Sequence, residues 1–177
     1  MKGRPAASPG LLRQADSLAC AALPTAATAA LLILAAMPVG LPGAVPAVAL
    51  PCVFFWSVFR PASLPPPAAF GLGLLQDLLT AAPIGSGVLI LLLTHGLAAR
   101  WRRVLVRQSF LMVWLADCGC AAGAAGLAWA MQALLSWTLP PLAPGMVQVM
   151  LTAGLYPSLA FVLTRAHEAM RHAEGAS

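Results

Sequence analysis

Positive charge in this chain is confined to its joints. Apolar runs separated by prolines and glycines hold almost no ionisable residues, and all ten Lys and Arg fall at four places: an amino-terminal tail (Lys2, Arg4, Arg13), Arg60, a cluster (Arg100, Arg102, Arg103, Arg107) and a carboxyl-terminal tail (Arg165, Arg171). Only 8% of the 177 residues are charged and 60% are hydrophobic. A soluble domain averages roughly 25% charged residues, so this chain cannot cover a water-facing surface. It reads as an integral membrane protein, a single helix bundle with no room for a sizeable domain outside the lipid. The sixteen prolines and fifteen glycines lie largely between or at the ends of the runs, as boundary marks.

Apolar runs between breakers predict six transmembrane helices, over 18–37, 45–59, 65–80, 84–99, 108–136 and 143–164, with basic tails at 1–17 and 165–177. The connections after the first, third and fifth runs contain no Lys or Arg, and every basic residue lies on the other side. By the positive-inside rule both termini face the cytoplasm, and a five-span reading would place one basic cluster outside. Phe54, Phe55, Trp56 and Phe59 at the end of the second run, and Trp101 beside the fourth, read as interfacial aromatics. The first run is too long for a signal-peptide core and no good cleavage site follows it, so it reads as a span.

A net charge of +5 could suggest nucleic acid, but these basic residues flank membrane spans, where they set topology and attract anionic lipid. Nucleic-acid binding would need a larger basic surface. Cys20, Cys52, Cys118 and Cys120 all sit in apolar stretches without a CxxC pair and read as small hydrophobes, so no metal or disulfide framework is expected.

Two carboxylates stand inside the apolar runs. Asp77 lies about one turn before the end of the third run, where the helix dipole disfavours it. It could reach the outer headgroup layer and be hydrated. It could instead, with Gln76, cap backbone amides at the following Pro83/Gly85 turn or the start of the next helix, or serve a ligand or partner. Asp117 is deeper, about 15 Å along the fifth helix at about 1.5 Å per residue. Such a residue should face the bundle interior, protonated or hydrogen-bonded. Gly119 and Gly123 follow in a Gly-xxx-Gly spacing that predicts close helix packing. A proton relay would want a second buried titratable group, and none is clear. His95 reads as an interface or core residue, and Arg60 beside Pro61 as a side chain snorkelling to headgroups. Tyr156-Pro157 falls mid-helix in the sixth run, where proline frees a backbone carbonyl and should kink the helix.

Catalysis finds little support. The groups a hydrolytic triad needs are not assembled, with Asp77 and His95 at opposite faces. No Gly-rich phosphate loop, HExxH or GxSxG occurs, so neither an enzyme nor a cofactor is expected.

The stretch Phe55-Trp56-(x3)-Arg60-Pro61, followed by Phe70-(x2)-Gly73-Leu-Leu-Gln76-Asp77-Leu-Leu-Thr-(x2)-Pro83-Ile84-Gly85, resembles the rod-shape-determining protein MreD family. Leu155-Tyr156-Pro157 with its basic tail is similar to that family's end, and the size and six-span reading agree. The resemblance spans most of the chain, with its specific part in the middle third. It implies a multi-pass inner-membrane protein of the bacterial elongation machinery, a scaffold or regulator of peptidoglycan synthesis without enzymatic activity. The implied partner is MreC, and through it MreB, a RodA-type glycosyltransferase and a class B penicillin-binding transpeptidase. The implied fold is similar to the substrate-binding subunits of energy-coupling-factor vitamin transporters. Family members often carry an acid just after the proline of span two; here Cys52 follows Pro51.

Two functions follow from different classes. One is the scaffold docking MreC. The other is a vitamin-like small-molecule binding subunit of a transporter, which should show a pocket of convergent polar groups. The sequence offers few for it: Gln76, Asp77, Asp117, Gln132 and Gln148.

Overall fold

The computed structural model describes residues 24–36, 44–80, 83–137 and 139–175, and among them every regular element is helical. The helices are α1 (Pro24–Ala35), α2 (Ala44–Phe59), α3 (Pro66–Thr80), α4 (Ser86–Leu105), α5 (Phe110–Ser136) and α6 (Ala143–Gly175), with a 3-10 turn at Pro61–Ser63 after α2. The beginning of the expected first span lies outside the described residues, as does the amino-terminal tail.

Helix α2 is the axis of the bundle. It packs on α4, α6, α3 and α5, and its apolar surface is buried all round. Leu32 of α1, Val45, Ala49, Cys52, Val53 and Trp56 of α2, Leu72 of α3, Leu91 of α4 and Leu163 of α6 form one continuous core. Phe54 and Val58 join Ala98, Val113, Tyr156 and Ala160 in a second. Three of the aromatics at the end of α2 therefore face the interior of the bundle, while Phe59 is half-buried. Phe54, Phe55 and Trp56 are 1%, 4% and 1% exposed, because α2 is enclosed by the other helices at that level. Trp101, by contrast, is exposed.

The outer shell is apolar where a soluble protein would be polar. Leu78, Ile84, Leu93, Leu134, Met150 and Phe161 are all more than half exposed. Helix α5 (27 residues) and the 143–165 portion of α6 (23 residues) are long and apolar enough to cross a membrane, each at mean hydropathy 1.6.

Two helices outrun their expected ends. Helix α4 continues to Leu105, so Arg100, Arg102 and Arg103 belong to its last turns rather than to a loop. There the cationic side chains complement the helix dipole. Arg102 also donates from Nε to the Val58 carbonyl at 2.9 Å, satisfying an end carbonyl of α2. Helix α6 runs through Pro157 to Gly175, so the expected tail from residue 165 begins as helix. The Arg165 guanidinium lies over the Phe161 ring, 5.3 Å from its centre.

The α3–α4 clamp and the interior acids

The polar centre of the molecule is built by the turn between α3 and α4. Gly85 has φ +102°, a left-handed conformation that favours glycine. It reverses the chain so that the first amides of α4 point back at α3. Asp77, 1% exposed, takes them up: its Oδ2 accepts the Gly85 N–H at 2.7 Å and its Oδ1 accepts the Gly87 N–H at 2.7 Å. The Ser86 hydroxyl donates to Oδ1 at 3.4 Å. The first amides of a helix have no partner within it, and the positive end of its dipole favours an anion. A carboxylate from the preceding helix meets both needs. The cap therefore reaches Asp77 across the turn, and hydration at the headgroup layer does not describe a side chain this deeply buried.

Two more glycines let the clamp close. A Cβ on Gly87 would lie 2.5 Å from Asp77 Oδ1, and one on Gly73 would lie 2.5 Å from the Val88 Cα. Small residues at both positions bring α3 and α4 into close backbone approach. Gln76, 6% exposed, stands beside the clamp but caps nothing: its Oε1 is buried without a hydrogen-bond partner. Pro83 is exposed, and its carbonyl accepts the Ser86 N–H at 3.0 Å. Phe70 is 49% exposed on the outer side of α3, and Arg60 with Pro61 opens the turn after α2. The middle-third residues thus serve different ends, and Gly73, Asp77, Gly85 and Gly87 form the joined unit.

Asp117 is 0% exposed, on the buried face of α5 with Val113, Ala121 and Ala124. Neither of its carboxyl oxygens has a hydrogen-bond partner. The expected Gly119/Gly123 packing is not found. Both glycines are exposed, and a Cβ at either would meet nothing within 4 Å. The reason is angular. Two residues along a helix turn it by about 200°, so a buried Asp117 places Gly119 on the outer side. Gly119 and Gly123 instead line an apolar groove between α4 and α5.

Further polar contacts pin helices together. Pro157 has no N–H to offer the carbonyl of Ala153, four residues back. The Trp114 indole of α5 supplies the donor, Nε1 to Ala153 O at 3.0 Å. Tyr156 beside it is 2% exposed, packed within 6.0 Å of the Phe110 ring. His95 Nδ1 lies 2.8 Å from Ser57 Oγ, and that hydroxyl donates to Val53 O at 2.6 Å. With the hydroxyl proton committed there, His95 is the donor from Nδ1. The pair joins α4 to α2, as an interface residue should. Asp77, near the end of α3, meets the first residues of α4, whereas His95 lies at the middle of α4, so the geometry does not bring them together.

Three observations agree at this point: an apolar outer shell, an aspartate-capped hairpin in the middle third, and a proline-freed carbonyl taken up by a neighbouring helix. No curated protein and no solved structure matches the chain. A family match to rod shape-determining protein MreD covers residues 18–138, about two thirds of the sequence and all of the clamp. The chain belongs to the MreD family of rod shape-determining proteins.

Proposed function

We propose that this protein is a non-enzymatic scaffold or regulator of the rod-shape peptidoglycan-synthesis complex, acting with MreC in the bacterial inner membrane. In this reading all six helices span the lipid, both termini are cytoplasmic, and the bundle is similar in fold to the substrate-binding subunits of energy-coupling-factor transporters. MreB, a RodA-type glycosyltransferase and a class B penicillin-binding transpeptidase join through MreC. The family match carries the reading. What supports the mechanism is the distribution of surface. The polar interior is spent on holding helices together, while the connections between helices are short and the outer shell is apolar. A partner is therefore met helix to helix within the lipid or through the short outer turns.

Purification from detergent-solubilised cells at native expression tests this directly. An MreC-type protein should be recovered with the chain in near-stoichiometric amount. Its repeated absence, with the chain itself folded and abundant, would overturn the proposal.

A further inference from the structure

The groove between α4 and α5 is left unused by the clamp and by the contacts that pin helices. Leu93, Leu97 and Trp101 line it from α4, and Gly119, Gly123 and Leu127 from α5. Its volume is about 470 Å³, and none of its lining residues is charged. Leu93, Leu97, Trp101 and both glycines are exposed, so the groove is reached directly from outside the bundle.

Two features select its occupant. The first is length. The α4 wall runs from Ile90 to Leu105 and the α5 wall from Ala116 to Leu127, roughly 22 Å and 16 Å at about 1.5 Å per residue. One leaflet of hydrocarbon is about 15 Å deep, and the whole core about 30 Å. The groove therefore matches a lipid tail, whereas a partner helix crosses the full width.

The second feature is charge. At the Leu105 end, α4 carries Arg100, Arg102 and Arg103 in its last turns, and Arg107 follows just beyond. No Asp or Glu occurs between residues 78 and 116, and the next acid, Asp117, is 0% exposed on the interior face of α5. The carboxyl end of a helix contributes about −0.5 of a charge, far less than four guanidinium groups supply. Arg102 spends its Nε on the Val58 carbonyl. Arg100 and Arg107 are exposed, and Arg100 stands one turn beyond Leu97, on the flank of the groove.

We propose that the groove holds one acyl chain of an anionic phospholipid, whose phosphate meets Arg100 and Arg107 at the basic end. Basic pockets between transmembrane helices are suited to such headgroups. The site rests on the membrane placement proposed above and not on recruitment of MreC.

Phosphatidylglycerol and phosphatidylcholine with identical acyl chains form a matched pair of probes that differ in net charge. The full-length protein is reconstituted with equal amounts of both and returned to detergent, and the lipid it retains is counted by native mass spectrometry. One phosphatidylglycerol per chain should remain, in about tenfold or greater excess over phosphatidylcholine. Arg100→Gln combined with Arg107→Gln should bring the two lipids to parity. Gly123→Phe should abolish retention of both, because a Cβ there meets nothing within 4 Å and leaves the ring to occupy the groove. Gly119→Leu serves the same purpose if Gly123→Phe fails to fold. Equal retention of the two lipids by the wild type, a preference that survives the paired arginine substitution, or retention that survives filling of the groove in folded protein would each overturn the site. So would the absence of retained lipid, and an MreC-type protein lost on Gly123→Phe would then give the groove to a partner helix. Extraction of the chain from cell membranes by detergent alone tests the membrane placement separately, so failure of the lipid site leaves that reading standing.

Discussion

Asp77 is a charge whose surroundings have been completed by its own chain. Its two 2.7 Å bonds to backbone amides use both carboxylate oxygens, and hydrogen bonds to charged groups are worth about 1.5–3 kcal/mol each. Removing the carboxylate also strands two amides, so Asp77→Ala should cost roughly 3–5 kcal/mol, read as a lower melting temperature in detergent and less folded protein. A variant that melts like the wild type yet no longer recovers an MreC-type protein would reassign Asp77 to a partner contact. The glycines divide the same way. Gly73→Ala and Gly87→Ala place a Cβ 2.5 Å from existing atoms and should each cost about 1–3 kcal/mol. Gly119→Ala and Gly123→Ala meet open space and should shift stability by no more than about 1 kcal/mol, in the favourable direction. Paired melting curves of the four variants check this ordering.

At the scale of elements, the proline inside α6 shows what sequence reading reaches and where it stops. The freed carbonyl follows from counting four residues back from Pro157. Its new donor does not, because Trp114 stands 39 residues away on another helix. Trp114→Phe should therefore cost about 1–2 kcal/mol, and the loss should shrink by about 1 kcal/mol in a Pro157→Ala background, where a backbone N–H again reaches Ala153. A double-mutant cycle on thermal stability measures that coupling, and additivity would refute it. Helix existence was legible throughout, since period and breakers are local signals. The cap on α4 was one of the readings open for Asp77, because Asp77, Pro83 and Gly85 lie within nine residues of sequence. The outward face of Gly119 and Gly123 was implicit in their two-residue offset from Asp117. What escaped were facts about neighbours: that α2 is enclosed and its aromatics buried, that Arg102 reaches Val58, and that Gln76, Gln132 and Gln148 line one cavity.

For the whole molecule the proposed six-span topology makes a definite prediction. Alkaline phosphatase fused after residue 82 or after residue 141 should be active, because both points fall in connections without Lys or Arg. Fusions after residue 107 and after residue 177 should be inactive, being on the basic side. An active fusion at the carboxyl terminus would break the six-span reading. On the six-span proposal the exposed leucines of α3, α4 and α5 (Leu78, Leu93 and Leu134) would lie against lipid tails, where lipid and partner helices compete for the same surface. Association in that setting rests on shape and on small residues more than on hydrophobic burial. The groove along Gly119 and Gly123 is the part of this shell with the least side-chain relief.

The clamp also has a consequence for how the chain is made. Asp77 leaves the ribosome eight residues ahead of the first amide that binds it and ten ahead of the second. If all six helices span the lipid as proposed, α3 would during that interval present a bare carboxylate to the lipid, at a cost of about 2.5–3.5 kcal/mol on insertion scales. On that proposal the fifteen-residue α3 would not be an independent unit of membrane integration, and it would partition into the bilayer together with α4 as one hairpin once Gly85 through Gly87 emerge. Pulling-force profiles on nascent chains should show a single event for the pair, which splits in two when Asp77 is replaced by leucine.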